Sequence, residues 1–95
     1  MSLRFEWDPK KADANLVKHR VSFEESLTVF ADPLARIFDD EEHSLEEKRE
    51  VIIGESRNRR LLLVNFTTRQ ASVRIIGARK ATKKERQDYE EFLHK

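Results

Sequence analysis

The sequence contains no cysteine, and only two glycines and two prolines among its 95 residues. The absence of cysteine excludes a disulfide framework, thiolate metal ligands and a cysteine nucleophile. Two isolated glycines also exclude a phosphate-cradling glycine loop. No apolar run approaches the roughly 20 residues that cross a bilayer, and early charges exclude a signal peptide. We therefore expect a single domain over residues 1–95, located in the cytoplasm and not in a membrane.

Charged side chains make up 39% of the chain, yet the formal net charge is only +1. Leu, Ile, Val and Phe supply 26 residues, enough for a small core and unlike a disordered chain. Residues 24–56 carry eleven acids and three bases, whereas residues 57–87 carry ten bases and one acid, Glu85. Clustered bases attract phosphates, although pairing of acids with bases across the fold is the simpler interpretation of a charged segment.

The first third of the chain has the periodicity of helices. Asp8-Pro9 predicts a helix start, with Ala12, Leu16 and Val17 forming an apolar stripe and the end near residues 19–20. Residues 22 and 25 form a Ser-x-x-Glu capping box, which predicts a second helix with apolar residues at 23, 27 and 30. Asp32-Pro33 ends this second helix.

The rest of the chain alternates as strands do. Strands are expected at 34–38, 49–55, 61–67 and 72–78, with an edge strand at 5–7, an acidic loop at 39–47 and a tight turn at 68–71. Thr82 and Glu85 form a second capping box, before a helix with Tyr89, Phe92 and Leu93 on one face. Short connections imply antiparallel pairing. The predicted fold is α+β, with two N-terminal helices packed on an antiparallel sheet of about four strands, and a C-terminal helix.

The start of the last helix carries bases where acids would be more stable. Lys83 and Lys84 occupy its first turn, Arg86 follows, and Arg79 and Lys80 precede it. Cations at a helix N-terminus oppose the macrodipole, at about 0.3–1 kcal/mol each when exposed. Free N–H groups at the same point attract anions. The arrangement favours a phosphate site.

Metal-free RNA cleavage suits this composition. Residues 39–43 offer oxygen and nitrogen ligands, but consecutive loop residues splay outward, so we expect no metal and no cofactor. In metal-free cleavage the ribose 2′-OH attacks the adjacent phosphate, which needs a base, an acid and cations. His19 is a candidate proton-transfer group, although its position alone favours a helix-capping role without chemistry. His43 is a second candidate, with a place on a surface loop as the alternative.

Ordered segments along nearly the whole chain resemble BrnT-type toxins. No single segment is specific, but their order is. These segments are Phe5-Glu6-Trp7-Asp8-Pro9, Asn15-Leu16, Lys18-His19, Val21-Ser22-Phe23-Glu24-Glu25, Phe30 with Asp32-Pro33, Asp39-Asp40 with His43-Ser44, Arg49 with Ile53-Gly54, Phe66-Thr67 with Arg69, Arg74-Ile75-Ile76, Ala78-Arg79-Lys80-Ala81-Thr82, Glu85-Arg86 and Tyr89-Glu90.

The resemblance implies a small ribonuclease toxin of a type II toxin–antitoxin module, with a RelE-like fold, RNA as substrate and an arrest of translation. It also implies a BrnA-like antitoxin that binds DNA and represses the operon, in a toxin–antitoxin heterotetramer. Matching positions point to a site made of His19, Arg49, Arg69, Arg74, Arg79 and Lys80. We assign catalysis to His19, Arg69, Arg79 and Lys80, and RNA binding to Arg49, Arg74, Lys83, Lys84 and Arg86.

Three positions depart from the family pattern. Arg20 stands where a glycine usually follows Lys18-His19, Gly77 replaces a serine, and Thr68 replaces an acid. None of the three removes a proposed catalytic group. The sequence leaves two other functions open. The basic surface would hold RNA or the ribosome without cutting, or would serve only to contact an acidic antitoxin segment.

Overall fold

The computed structural model describes residues 4–43 and 47–93, with the side chain of His43 outside the described part. It contains five strands: β1 (Arg4–Glu6), β2 (Arg36–Asp39), β3 (Glu50–Glu55), β4 (Leu61–Arg69) and β5 (Ser72–Lys80). Three α-helices accompany them: α1 (Pro9–His19), α2 (Phe23–Leu27) and α3 (Lys83–Leu93). Short 3-10 helices follow at Thr28–Ala31 and Glu41–His43. The fold is α+β, as predicted.

The sheet differs from the prediction in number and direction. Its order is β1-β5-β4-β3-β2, so the edge strand expected at 5–7 is present as β1 and makes a fifth strand in a sheet predicted to have about four. β2 to β5 pair antiparallel, but β1 pairs parallel with β5. The parallel pair joins residues far apart in sequence, and α1 and α2 lie in the connection between these strands. The prediction considered only strands joined by short connections, and it therefore did not include this pairing.

Helices cover the two faces of the sheet unequally. One face, with Ile52, Val64 and Ile75, packs against Val21, Phe23 and Val29 from the α1–α2 region to form the main core. Residues of the other face, Ile53 and Leu61, pack with Tyr89 of α3 in a second, smaller cluster. We call this second side the α3 face. Only part of it carries the helix.

The first helix begins and ends as predicted, but the prediction that its apolar stripe is buried is wrong. Asp8 is the N-cap, and its carboxylate accepts from the Lys10 N–H at 2.9 Å. No residue between Pro9 and His19 is buried, and Leu16 and Val17 are 47% and 80% exposed. Ala12 alone of the predicted stripe packs against the core. The helix instead contacts the edge of β5.

The two capping boxes have different outcomes. In α3, Thr82 and Glu85 bond reciprocally, with the Glu85 N–H donating to Oγ1 at 3.1 Å and the Thr82 N–H donating to Oε1 at 2.8 Å. In α2, the Ser22 hydroxyl accepts from the Glu25 N–H at 3.0 Å, but the Glu25 carboxylate binds elsewhere. α2 is only five residues long. No helix within residues 4–43 and 47–93 is long and apolar enough to span a bilayer.

Candidate functional site

The β4–β5 hairpin places two of the predicted arginines side by side on the α3 face. A two-residue turn joins Arg69 to Ser72, with Gln70 at φ 52°. In this register Arg74 lies opposite Thr67, one position inward from the turn on the same face. Strand alternation therefore presents both guanidinium groups at one end of the sheet, beyond the part that α3 covers.

The segment before β3 brings a third arginine to the same end. Thr67 is 1% exposed, and its hydroxyl donates to the Lys48 carbonyl at 2.8 Å. The Asp40 N–H donates to the Arg49 carbonyl at 2.9 Å. These bonds hold residues 47–49 over the hairpin. We call Arg49, Arg69 and Arg74 the arginine cluster.

Glu47 connects the arginine cluster. Nε of Arg69 donates to its Oε2 at 2.8 Å and the terminal nitrogen to Oε1 at 3.3 Å. The hydrogen bond from Arg69, with the nearby charges of Arg69, Arg49 and Arg74, lowers the pKa of the Glu47 carboxyl. Glu6 of β1 lies 3.8 Å from Arg74. The cluster thus carries three cations, and the carboxylates of Glu47 and Glu6 lie beside it.

A depression of about 220 Å³ adjoins the cluster in the middle of the α3 face. It is lined by Asp40, Arg49, Asn65, Ile76 and Gly77. The Asn65 side-chain amide donates to Asp40 at 3.3 Å. The pairing of β4 with β5 shifts register between Asn65 and Phe66, which leaves Ile76 as an extra residue on β5. This bulge turns Ile76 toward the rim of the depression.

His19 lies in a second depression that shares Ile76 with the first. It has a volume of about 240 Å³, and its lining also includes Lys11, Lys18 and Asn15. Asn15 fixes α1 here, because its Oδ1 accepts from the Ala78 N–H at 3.1 Å and its Nδ2 donates to the Val21 carbonyl at 2.9 Å. Its amide thus takes the place of a strand at the free edge of β5. His19 therefore stands beside the middle of β5.

Arg79 and Lys80 belong to a different region, at the start of α3. Both terminal nitrogens of Arg79 donate to Glu85, at 2.7 and 2.9 Å. The hydrogen bond from Arg79 lowers the pKa of Glu85 to about 2, although burial acts to raise it. Lys84 pairs with Asp88 and Arg86 with Glu90. Within the described residues Lys80 and Lys83 form no ion pair. The predicted group of basic residues at the start of α3 is therefore present, but the Arg79 guanidinium is paired with Glu85.

The predicted site residues therefore form two basic regions. At roughly 3.3 Å per strand residue, Arg74 and Lys80 are about 20 Å apart along β5. The arginine cluster lies at one end, Arg79, Lys80 and the α3 lysines at the other, and His19 beside the strand between them. The structure does not bring Arg79 into the cluster with Arg69.

Asn15, Asn65 and Glu47 are among the polar residues of this region that were not predicted as site residues. Asn15 stands in a segment that resembles the family, which offered a signal for it. Glu47 and Asn65 had none, because their contacts lie 22 and 25 residues away in sequence. Among residues 4–43 and 47–93, no three acidic or imidazole side chains converge to hold a metal ion. The side chain of His43 and all of His94 lie outside the described part.

Comparison with protein families decides the relationship. The sequence model of the family described as the ribonuclease toxin BrnT of type II toxin–antitoxin systems matches residues 7–85 of the 95. The chain belongs to the BrnT family. The matched range contains His19, the whole arginine cluster, Arg79 and Lys80, whereas Arg86 lies just beyond it. Membership makes this a ribonuclease toxin of a toxin–antitoxin system, with RNA as the substrate class and an antitoxin as partner.

A solved BrnT structure has the same fold. The 1.1 Å crystal structure of the Brucella abortus ribonuclease toxin BrnT aligns over 86% of this chain and 100% of its own, with a TM-score of 0.67. Sequence identity is 21%, so this likeness supports the fold alone. No curated protein matches the chain.

The three departures from the BrnT pattern leave the local geometry intact. Arg20 has φ 60° and ψ 32°, the left-handed conformation that a glycine would adopt after α1. A Cβ on Gly77 would lie 3.8 Å from Asn15 Oδ1 and 4.0 Å from Asn65 Oδ1, so a serine fits there. Thr68 is exposed near the end of β4.

Proposed function

We propose that this BrnT-family chain is a metal-independent endoribonuclease that acts in the cytoplasm and blocks translation by cutting RNA. The arginine cluster is the observation that supports the proposal, because the charges of three arginines act on the Glu47 carboxylate. The depression that Arg49 lines shares Ile76 with the depression that holds His19. Arginine suits phosphoryl oxygens, since its planar fork donates two bonds and stays charged.

In the proposed reaction the ribose 2′-oxygen attacks the adjacent phosphorus. The bond from phosphorus to the 2′-oxygen forms as the bond to the 5′-oxygen breaks. A base takes the 2′-hydroxyl proton and an acid returns one to the leaving oxygen. We assign one of these proton transfers to His19, and stabilisation of the phosphoryl charge to Arg69 with Arg49 and Arg74.

The basic residues at the start of α3 would bind the flanking phosphates. Arg79 would act as a positioning residue that holds this helix start through Glu85, while Lys80, Lys83, Lys84 and Arg86 would contact the RNA backbone. A single strand that runs along β5 meets both basic regions and passes His19. Lys83→Glu/Lys84→Glu should then weaken RNA binding most strongly at low salt.

Cleavage of RNA in the presence of a chelator tests the proposal. We expect Arg69→Ala and His19→Ala to lower the rate by about 100-fold or more each. Arg57→Ala is the matched control, because Arg57 is exposed in the β3–β4 turn, away from both depressions. Absence of cleavage by the unmodified chain, or full activity in both site variants, would refute the assignment.

The partner is proposed to be a BrnA-like antitoxin, which would join the toxin in a heterotetramer, bind DNA and repress the operon. Toxin–antitoxin family membership supports this partner, and the RelE-like architecture is part of the same proposal. Induced expression with and without the neighbouring gene tests it. We expect growth arrest that the neighbour relieves, and arrest that persists with the neighbour would argue against it.

A second candidate is RNA binding without cleavage. The ion pair Arg69–Glu47 favours it, because it occupies a guanidinium group that the proposed catalysis needs. Salt-sensitive binding with the RNA left intact would identify this function.

A further inference from the structure

The arginine cluster already holds an anion of this chain. Arg69 donates two hydrogen bonds to the Glu47 carboxylate, at 2.8 and 3.3 Å, and the charges of Arg49 and Arg74 also act on that carboxylate. This two-pronged contact is the geometry in which arginine binds two oxygens of a phosphate. Glu47 therefore occupies the position in which a phosphate would bind Arg69.

The backbone fixes Glu47 in this place. The adjacent Lys48 carbonyl accepts a hydrogen bond from the buried Thr67 hydroxyl at 2.8 Å, and the Arg49 carbonyl accepts from the Asp40 N–H at 2.9 Å. The carboxylate itself remains accessible, since the side chains of Arg69 and Glu47 are 53% and 36% exposed. The backbone next to Glu47 is held by hydrogen bonds, but the charged groups of Glu47 and Arg69 are open to solvent. A ligand can therefore reach Arg69 and displace the Glu47 carboxylate.

We propose that Glu47 is an internal competitor for the phosphate subsite of the arginine cluster, which an RNA phosphodiester must displace from Arg69. This inference rests on the proposed function, because it takes RNA as the ligand. Glu6 is not the competitor, since its carboxylate lies 3.8 Å from Arg74, whereas the two hydrogen bonds of Arg69 go to Glu47. Because Glu47 competes with the ligand, we expect the chain to bind an isolated phosphate weakly. A longer polyanion that also contacts the basic residues of α3 should bind more tightly than an isolated phosphate.

Binding of a 2′-deoxy oligonucleotide to the full chain at low salt tests this inference. Such a probe has no 2′-hydroxyl to attack, so affinity is measured without cleavage. Glu47→Gln keeps the side-chain shape and removes the charge, and we expect it to tighten binding about threefold or more. Glu24→Gln is the matched control, because Glu24 is an exposed acid on α2 remote from the cluster, and we expect little change.

The gain must also depend on the arginine. In an Arg69→Ala background, adding Glu47→Gln should give no further gain in affinity. Unchanged or weaker binding by Glu47→Gln, an equal gain from Glu24→Gln, or a gain that persists without Arg69 would each overturn the inference. RNA cleavage in chelator is measured separately. If the unmodified chain cuts RNA but Glu47→Gln does not tighten binding, only this inference fails, whereas tighter binding without cleavage leaves it standing and refutes the nuclease.

Discussion

Arg60, the residue immediately before β4, binds the carboxylate of Glu25 in α2, and Glu25 is only 3% exposed. This contact joins α2 to the start of β4. Nε of Arg60 donates to Oε2 at 2.9 Å, a terminal nitrogen donates to Oε1, and the Ser56 hydroxyl donates to Oε2 at 2.7 Å. The same guanidinium reaches the Arg20 carbonyl at 3.1 Å. This ion pair thus joins the acidic segment, residues 24–56, to the basic segment, residues 57–87.

Removing Glu25 should destabilise the fold strongly. Glu25→Ala leaves Arg60 and Ser56 without their shared acceptor, and breaking such a buried pair costs about 3 kcal/mol in the free energy of unfolding. Glu24→Ala, an exposed neighbour on the same helix, should change stability by less than about 0.5 kcal/mol. Urea denaturation measures both. Equal stability of the two variants would show that the pair contributes nothing.

Stability should also fall in acid. The hydrogen bond from Arg60 lowers the pKa of Glu25 to about 2 from its ordinary 4.5, although burial acts in the opposite direction. A lowered pKa adds stability that is complete above 4.5 and is lost as the pH falls toward 2. We expect Glu25 to account for about 3 kcal/mol of this loss. Denaturation of Glu25→Gln between pH 6 and pH 2 should show a shallower decline, and an identical decline would contradict the assignment.

Local sequence signals predicted the elements that depend on nearby residues. Asp8-Pro9 starts α1, and the Thr82–Glu85 box forms because its partners lie three residues apart. The same motif at Ser22 and Glu25 formed only half of its bonds, because Arg60, 35 residues away, binds the carboxylate more strongly. Contacts at such distances decide between two good local partners, and spacing along the chain does not reveal them.

The candidate site shows the same division. Alternation along β5 was sufficient to place Arg74 on a strand, whereas Arg69 was predicted in the tight turn at 68–71 and instead ends β4. Resemblance to the family selected both arginines. Their convergence with Arg49 depends on the buried bond from Thr67 to Lys48, 19 residues away. The parallel pairing of β1 with β5 spans more of the chain still, because Arg4 pairs with Ser72. The acidic segment was unexplained in the sequence, and Glu25 and Glu47 now account for part of it as partners of Arg60 and Arg69.

The end of α1 carries a strain that a single substitution should relieve. Arg20 adopts φ 60° so that its N–H can donate to the Leu16 carbonyl at 2.9 Å. Glycine takes this conformation without a Cβ clash, so Arg20→Gly should stabilise the fold by about 1 kcal/mol. Lys18→Gly, within the last helical turn, should destabilise by about 1 kcal/mol. Thermal denaturation of both variants should shift the melting temperature in opposite directions, and a shift in the same direction would refute the argument.

The two glycines of the chain should respond differently to the same substitution. A Cβ on Gly54 would lie 2.8 Å from Ala35 Cβ, 3.0 Å from Asp32 Oδ2 and 3.1 Å from Val29 Cγ1. That crowding would push apart β3 and the turn at Asp32, whose Oδ2 accepts the Glu55 N–H at 2.7 Å and the Tyr89 hydroxyl at 3.1 Å.

We expect Gly54→Ala to lower the free energy of unfolding by about 2 kcal/mol, because overpacking a close contact costs about 1–3 kcal/mol. Gly77→Ala is the control, since its Cβ would meet nothing closer than 3.8 Å and its φ is not positive. It should be neutral or slightly stabilising. Urea denaturation separates the two, and a Gly77→Ala variant that is destabilised as much as Gly54→Ala would contradict the open space between Asn15 and Asn65. That space borders both depressions, so Gly77→Ser should leave the fold unchanged while adding a hydroxyl beside the candidate site.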